Sequence, residues 1–81
     1  MEVRIRLGSA IAKLAPASSM RLELPDGATV SDLYARLADG YPELAPALPS
    51  ALPLVGGAHV ERDRALGHGD EVALLTPVAG G

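Results

Sequence analysis

The sequence has no cysteine, tryptophan or phenylalanine, and its only aromatic residues are Tyr34 and Tyr41. Without cysteine the chain has neither a disulfide nor a side-chain thiol, so any sulfur chemistry must use another group. Two tyrosines also provide little surface for stacking a nucleic-acid base or a flat cofactor. Because apolar residues still make up 48% of the 81 residues, we expect one small domain with a core of Leu, Val and Ala.

Lysine is almost absent as well: Lys13 is the only one among seven basic residues, and ten acidic residues bring the net charge to −3. The charges are interspersed, which argues against a nucleic-acid partner and fits a protein that docks on basic surfaces of other proteins. The sequence has no apolar run of the roughly 20 residues that cross a bilayer, and its first residues do not follow the pattern of a signal peptide. We therefore predict a cytoplasmic protein with no membrane partner.

Alternating apolar and polar residues predict two strands in the first third of the chain. In residues 2–7 and again in residues 20–24, every second side chain is apolar, as expected for strands with one buried face. Residues 10–15 are predicted to form a short helical turn between them, and Pro25-Asp26-Gly27 is a turn signal. The modest connection favours an antiparallel pair.

The clearest helix signal follows that turn. Thr29 is a suitable N-cap, and Asp32 three residues later completes a capping-box arrangement. The apolar residues Val30, Leu33, Tyr34 and Leu37 recur with helical spacing and predict one buried stripe. We expect a helix of about three turns, with Gly40 as its C-cap and Pro42 preventing its continuation.

Turn signals divide the remaining sequence. Residues 42–53 contain four prolines and are predicted to form a connector with one helical turn. A small hairpin is expected around Gly56-Gly57, and Leu66 is expected in the core. Residues 71–75 alternate again and predict the last strand.

This order of elements favours a β-grasp fold, in which one helix crosses a mixed sheet and the first and last strands lie side by side in the middle. We predict an α+β, ubiquitin-like β-grasp domain over residues 1–76, with a mixed four- to five-stranded sheet and one main helix packed on one face. Residues 77–81 are predicted to form a flexible, extended Gly-Gly tail.

The tail is the most informative feature for function. Pro77 cannot donate a ladder hydrogen bond, so sheet pairing is expected to end near Thr76, and Ala79, Gly80 and Gly81 have almost no side chain. A thin peptide of this kind suits threading a narrow channel and presenting its terminal carboxylate to a buried site. After adenylation by a partner that uses ATP, the Gly81 acyl group is able to accept sulfur as a thiocarboxylate. The alternative is a frayed terminus that ends in glycines by chance.

The last thirteen residues, Gly69-Asp70-Glu71-Val72-Ala73-Leu74-Leu75-Thr76-Pro77-Val78-Ala79-Gly80-Gly81, closely resemble the C-terminal signature of the molybdopterin synthase small subunit. Leu24-Pro25-Asp26-Gly27-Ala28-Thr29-Val30 and Tyr41-Pro42-Glu43-Leu44 also look like that family's turn and helix. The hairpin departs from the family, with Val55-Gly56-Gly57 where an Asn-Gly turn is common, and residues 10–15 are poorer in aromatics than the family's N-terminal helix.

The resemblance implies a ubiquitin-like sulfur carrier, of the wider family that includes the thiamin-pathway carrier. It implies that Gly81 is adenylated by a ubiquitin-activating-like adenylyltransferase and converted to a thiocarboxylate, with Gly80 as its slender neighbour. The chain would then be the non-catalytic sulfur donor of molybdopterin synthase, paired with a large catalytic subunit in molybdenum cofactor biosynthesis. No bound cofactor is expected, since ATP is used by the activating partner.

Strand alternation also predicts a docking surface. With Val72 and Leu74 facing the helix, Leu75 points to the open face of the sheet, where it is expected to join Pro77, Val78 and Ala79 in an apolar patch. Arg4 and Arg6 are predicted on the same face, either binding acidic groups of a partner or simply solvated. His59 and His68 lack the spacing of metal ligands.

Three other functions remain open at this stage. The same carrier chemistry would serve cysteine, thiamin, thiolated tRNA or a sulfur-containing secondary metabolite. A protein modifier joined through Gly81 to lysines of its targets, and a plain interaction module with an idle tail, are the remaining alternatives.

Overall fold

The computed structural model describes residues 1–76. The strands are β1 (Glu2–Leu7), β2 (Ser19–Glu23), β3 (Leu52–Val55), β4 (Ala58–His59) and β5 (Glu71–Leu75), and the helices are α1 (Ser9–Ala12) and α2 (Val30–Gly40), followed by 3₁₀ turns at Pro42–Leu44 and Leu48–Ser50. None of the helices in this part of the chain is long and apolar enough to cross a membrane.

The five strands form one mixed sheet in the order β2-β1-β5-β3-β4. The first and last strands pair in parallel at its centre, and the other neighbours are antiparallel. The apolar residues of β1 are buried and its polar residues are exposed, except for the half-buried Glu2, because only one face is covered by α2. The predicted ubiquitin-like β-grasp fold is confirmed, with five strands.

Helix α2 begins as predicted. The Thr29 side chain accepts a hydrogen bond from the Asp32 backbone, and the Asp32 carboxylate accepts one from the Thr29 backbone at 2.8 Å. The predicted stripe is buried in full. The prediction for the C-cap was wrong: Gly40 is the last helical residue and Tyr41 is the cap, because the backbone leaves the helix at Tyr41 with a φ of −135° and needs no glycine with positive φ.

The predicted connector over residues 42–53 was too long, because β3 already begins at Leu52 and includes Pro53. The carbonyl of Pro53 accepts a hydrogen bond from the Val60 N–H at 3.1 Å. The backbone groups of Pro53 therefore face β4. Because proline has no N–H, one ladder hydrogen bond is lost on that side, beside a strand of only two residues. The predicted hairpin is confirmed: Gly56 and Gly57 form its turn with φ of 60° and 81°, as a two-residue turn requires.

A tyrosine and an arginine join the connector to the domain. The buried Tyr34 hydroxyl donates to the Ala51 carbonyl at 2.8 Å. The Arg62 guanidinium lies 4.0 Å from the centre of the Tyr34 ring, and its Nη2 atom donates to the carbonyls of Leu48, Pro49 and Ala51. These contacts fix the residues that lead into β3.

Candidate functional site

The central strand β5 leads directly into the tail. Val72 and Leu74 are fully buried under α2, and Leu66 is buried as well, all as predicted. Leu75 is the last residue of the strand. Pairing thus ends just before Thr76, as the sequence predicts, and the chain enters residues 77–81 from the middle of the sheet.

The N-cap residue of α1, Gly8, holds the end of this strand. The Gly8 N–H donates to the Leu74 carbonyl at 2.8 Å. A Cβ atom on Gly8 would lie 3.1 Å from Leu75 Cδ2 and 3.3 Å from that carbonyl oxygen, closer than ordinary van der Waals contact. The backbone approaches the strand this closely because residue 8 has no side chain.

Leu75 forms part of an apolar patch on the open face of the sheet. It lies opposite Leu52, and Ala73 lies opposite Leu54 on the same face. Leu52 and Leu75 are each 42% exposed, and Leu54 and Ala73 are half-buried. We call these four residues, Leu52, Leu54, Ala73 and Leu75, the open-face patch.

Basic side chains flank the open-face patch. Arg4 and Arg6 are exposed, as predicted, and β2 adds Arg21, which lies directly opposite Arg4. Like charges placed opposite each other across a ladder are unfavourable. Arg6 forms an exposed ion pair with Glu71 at 3.6 Å. Because only Arg6 of the three has a carboxylate partner within residues 1–76, this arginine row suits acidic groups of a second protein.

Sequence reasoning placed Leu75, Arg4 and Arg6 on this face but missed Leu52, Leu54 and Arg21. Alternation in residues 20–24 contained the signal for Arg21, whereas the start of β3 was hidden by the prolines before it. The predicted site residues Pro77, Val78, Ala79, Gly80 and Gly81 lie outside the described residues.

The histidines lie elsewhere. His68 Nδ1 accepts a hydrogen bond from the Glu2 N–H at 3.0 Å, which ties the turn before β5 to the first strand. His59 is exposed on the two-residue strand β4. Within residues 1–76 no group of three or more His, Asp or Glu side chains is arranged to hold a metal ion.

Several proteins of known structure have a fold similar to that of this chain. SAMP1 from Haloferax volcanii superposes with a TM-score of 0.90 at 26% identity, covering 100% of both chains. A putative molybdopterin converting factor subunit 1 from Pyrococcus furiosus gives a TM-score of 0.87 at 24% identity, covering 96% of this chain and 99% of that one. The complex of subunits 1 and 2 of the Helicobacter pylori molybdopterin-converting factor includes a chain with a TM-score of 0.75 at 23% identity and full coverage of both. The latter two likenesses concern the fold.

The sequence also matches the model of the ThiS family over residues 8–81, a range that takes in β5 and both terminal glycines. This match covers almost the whole chain. The chain belongs to the ThiS family, which confirms the predicted relationship to the ubiquitin-like sulfur carriers.

Proposed function

We propose that this protein is a sulfur carrier whose working group is the carboxylate of Gly81, and that it serves as the small subunit of a molybdopterin synthase in the cytoplasm. The observation that carries the proposal is the family match, which extends through Gly80 and Gly81. The central position of β5 supports it, since a tail that leaves the middle of a sheet starts from a firmly held point.

The chemistry requires a partner at each step, because the chain has no thiol of its own. The Gly81 carboxylate attacks the α-phosphorus of ATP, and pyrophosphate leaves. A sulfide nucleophile then adds to the acyl carbon, the bond to AMP breaks, and AMP leaves with the electron pair. The product is a thiocarboxylate. Its sulfur forms a bond to the acceptor, and water then adds to the acyl carbon and breaks the acyl–sulfur bond, so that the sulfur stays on the acceptor and the carboxylate is restored. An adenylyltransferase of the ubiquitin-activating kind would perform the first step.

The open-face patch and the arginine row would dock the partners. Two leucines exposed side by side, next to arginines, suit a surface with an apolar centre and acidic rim. The Helicobacter pylori neighbour is a complex of subunits 1 and 2, which favours a large catalytic subunit as one such partner. In that arrangement this chain supplies the sulfur and is not itself the catalyst.

Mass spectrometry of the protein from its native host tests the proposal. We expect a fraction of the chains to carry sulfur in place of one C-terminal oxygen. Deletion of Gly81, or extension beyond it, should abolish this product and sulfur transfer to the large subunit while the fold is kept. Gly40→Ala is the matched control, because a Cβ there meets nothing within 4 Å. Sulfur transfer by the Gly81-deleted chain would refute the proposal.

A second candidate function is protein modification. The supporting observation is the likeness to H. volcanii small archaeal modifier protein 1, which covers 95% of this chain at 25% identity. In this case the activated Gly81 acyl group would be attacked by a lysine amine of a target, forming an isopeptide and releasing AMP or a thiol. Peptide mapping that finds Gly81 joined to lysines of other proteins would favour this function, and a thiocarboxylate without such conjugates would favour the first.

A further inference from the structure

The two edges of the sheet differ in a way that points to an additional interface. At one edge, β4 has only two residues, so it offers little backbone for pairing. At the other edge, β2 has five residues and contains no proline. The backbone of an edge strand without proline is able to pair with another strand.

The hydrogen bonds at the ends of β2 show which of its backbone groups face outward. Leu24 N–H donates to the Met1 carbonyl at 2.9 Å, and Leu7 N–H donates to the Ser18 carbonyl at 2.8 Å. Residues 18 and 24 therefore bond inward, toward β1 and Met1. Since antiparallel residues alternate in direction, the N–H and C=O groups of Ser19, Arg21 and Glu23 point to the free edge.

The charges along this edge are self-complementary in one register. If two copies of β2 pair antiparallel about Leu22, Arg21 of each copy lies opposite Glu23 of the other. Both pairs are hydrogen-bonded pairs, so their four outward N–H groups find carbonyl acceptors, and both carry opposite charges on the open face. Leu22 and Met20, which are half-buried on the helix face, lie near the centre of the contact.

The neighbouring registers are disfavoured. A dyad at Arg21 would place two arginines opposite each other, and a dyad at Glu23 would do the same with two glutamates. Like charges directly opposite across a ladder are destabilising. The edge thus combines a backbone that no strand of residues 1–76 pairs with a charge pattern that favours pairing in one alignment.

We infer that β2 is a self-association edge, through which two copies of the chain form a symmetric dimer with a continuous sheet of ten strands, twice the five of one copy. Strand β1 separates β2 from β5. The dimer therefore leaves the end of β5, the open-face patch, Arg4 and Arg6 accessible, whereas Arg21 of the arginine row faces Glu23 of the second copy. It does not depend on the chemistry proposed for Gly81.

Sedimentation equilibrium of the full chain between about 10 µM and about 1 mM tests the inference, because dimer formation depends on concentration. Arg21→Glu and Glu23→Arg should each raise the dimer dissociation constant at least about tenfold, since each replaces two attractive pairs by two repulsive ones. The variant that combines both substitutions should return it to within about threefold of the wild-type value. Glu61→Arg, an exposed residue after β4, is the matched control and should change nothing.

Amide hydrogen exchange of the wild-type chain gives a second readout, which requires no charge substitution. The Arg21 and Glu23 amides should become protected as the concentration rises, whereas the Met20 and Leu22 amides, which face β1, should be protected throughout. A wild-type chain that stays monomeric at the highest concentration would overturn the inference. So would a dimer in which the single variants behave like Glu61→Arg, or in which the combined variant stays as weak as the single ones.

Discussion

The hydroxyl of Tyr34 is the buried polar group that joins helix α2 to the start of β3. It donates to the Ala51 carbonyl at 2.8 Å from a residue that is 5% exposed. Tyr34→Phe removes this hydroxyl and keeps the ring, together with the Arg62 guanidinium that lies 4.0 Å from its centre. The substitution therefore measures the hydrogen bond with little change in packing.

The structure sets the size of the loss. A hydrogen bond of this kind contributes about 1 kcal/mol net, and a buried carbonyl left without a partner adds a further cost of about 1–3 kcal/mol. The Ala51 carbonyl keeps a long contact of 3.4 Å to Arg62 Nη2, which offsets part of that cost. We expect the free energy of unfolding to fall by about 1.5 kcal/mol, and the Tm by roughly 6–12 °C for a domain of this size.

Urea unfolding followed by far-UV circular dichroism measures this change, with an unaltered m-value showing that the compactness of both states is kept. Tyr41→Phe is the matched control, since that tyrosine is half-buried and its hydroxyl is not among the side-chain donors found within residues 1–76. A loss below about 0.5 kcal/mol for Tyr34→Phe, or one equal to that of the control, would refute the reasoning.

Three further predictions follow from the same contacts. Burial raises the pKa of Tyr34 above its ordinary 10.0, and the nearby Arg62 charge acts in the opposite sense. Above pH 10.0 the folded state thus keeps a proton that the unfolded chain has lost. The contribution of Tyr34 to the free energy of unfolding is therefore complete below pH 10.0 and is lost as the pH rises through the raised pKa. In this pH range, wild-type urea midpoints should fall more steeply than those of Tyr34→Phe. Thr29→Ala should lower the free energy of unfolding by about 1 kcal/mol in the same urea assay, because it removes the cap of α2, and Thr29→Ser should lower it less. Arg4→Glu should raise the dissociation constant for a molybdopterin synthase large subunit, measured by calorimetry, about tenfold. Arg36→Glu, which lies on α2 on the other side of the sheet, should leave it unchanged. Equal effects of the two substitutions would contradict docking through the open face.

Local patterns in the sequence were sufficient for most of the fold. Alternation in residues 2–7 and 71–75 determined both the strands and the face that each side chain occupies. The capping box at Thr29 and Asp32 determined where α2 begins, because its hydrogen bonds join residues three positions apart. The prediction that Gly40 caps the helix was wrong because the conformation at a helix end depends on where the chain goes next.

Contacts between distant segments could not be predicted in this way. The prolines before Leu52 suggested a connector, yet Pro53 lies in β3, since its missing N–H falls on the side of the short strand β4. Arg62 contacts the Tyr34 ring from the loop that follows β4, and no local pattern in the sequence predicts this contact.

By itself, the sequence determined the β-grasp order, the open face that carries Arg4 and Arg6, and the side-chain-free end at Gly80 and Gly81. The tertiary structure decided which residues share that face as neighbours: Leu52 beside Leu75, and Arg21 beside Arg4. Periodicity is a property of consecutive residues, whereas register is set by hydrogen bonds and packing between strands far apart in the chain. For this reason the terminal glycines could be recognised from the sequence, and the open-face patch beside β5 could be completed only once the strands were paired.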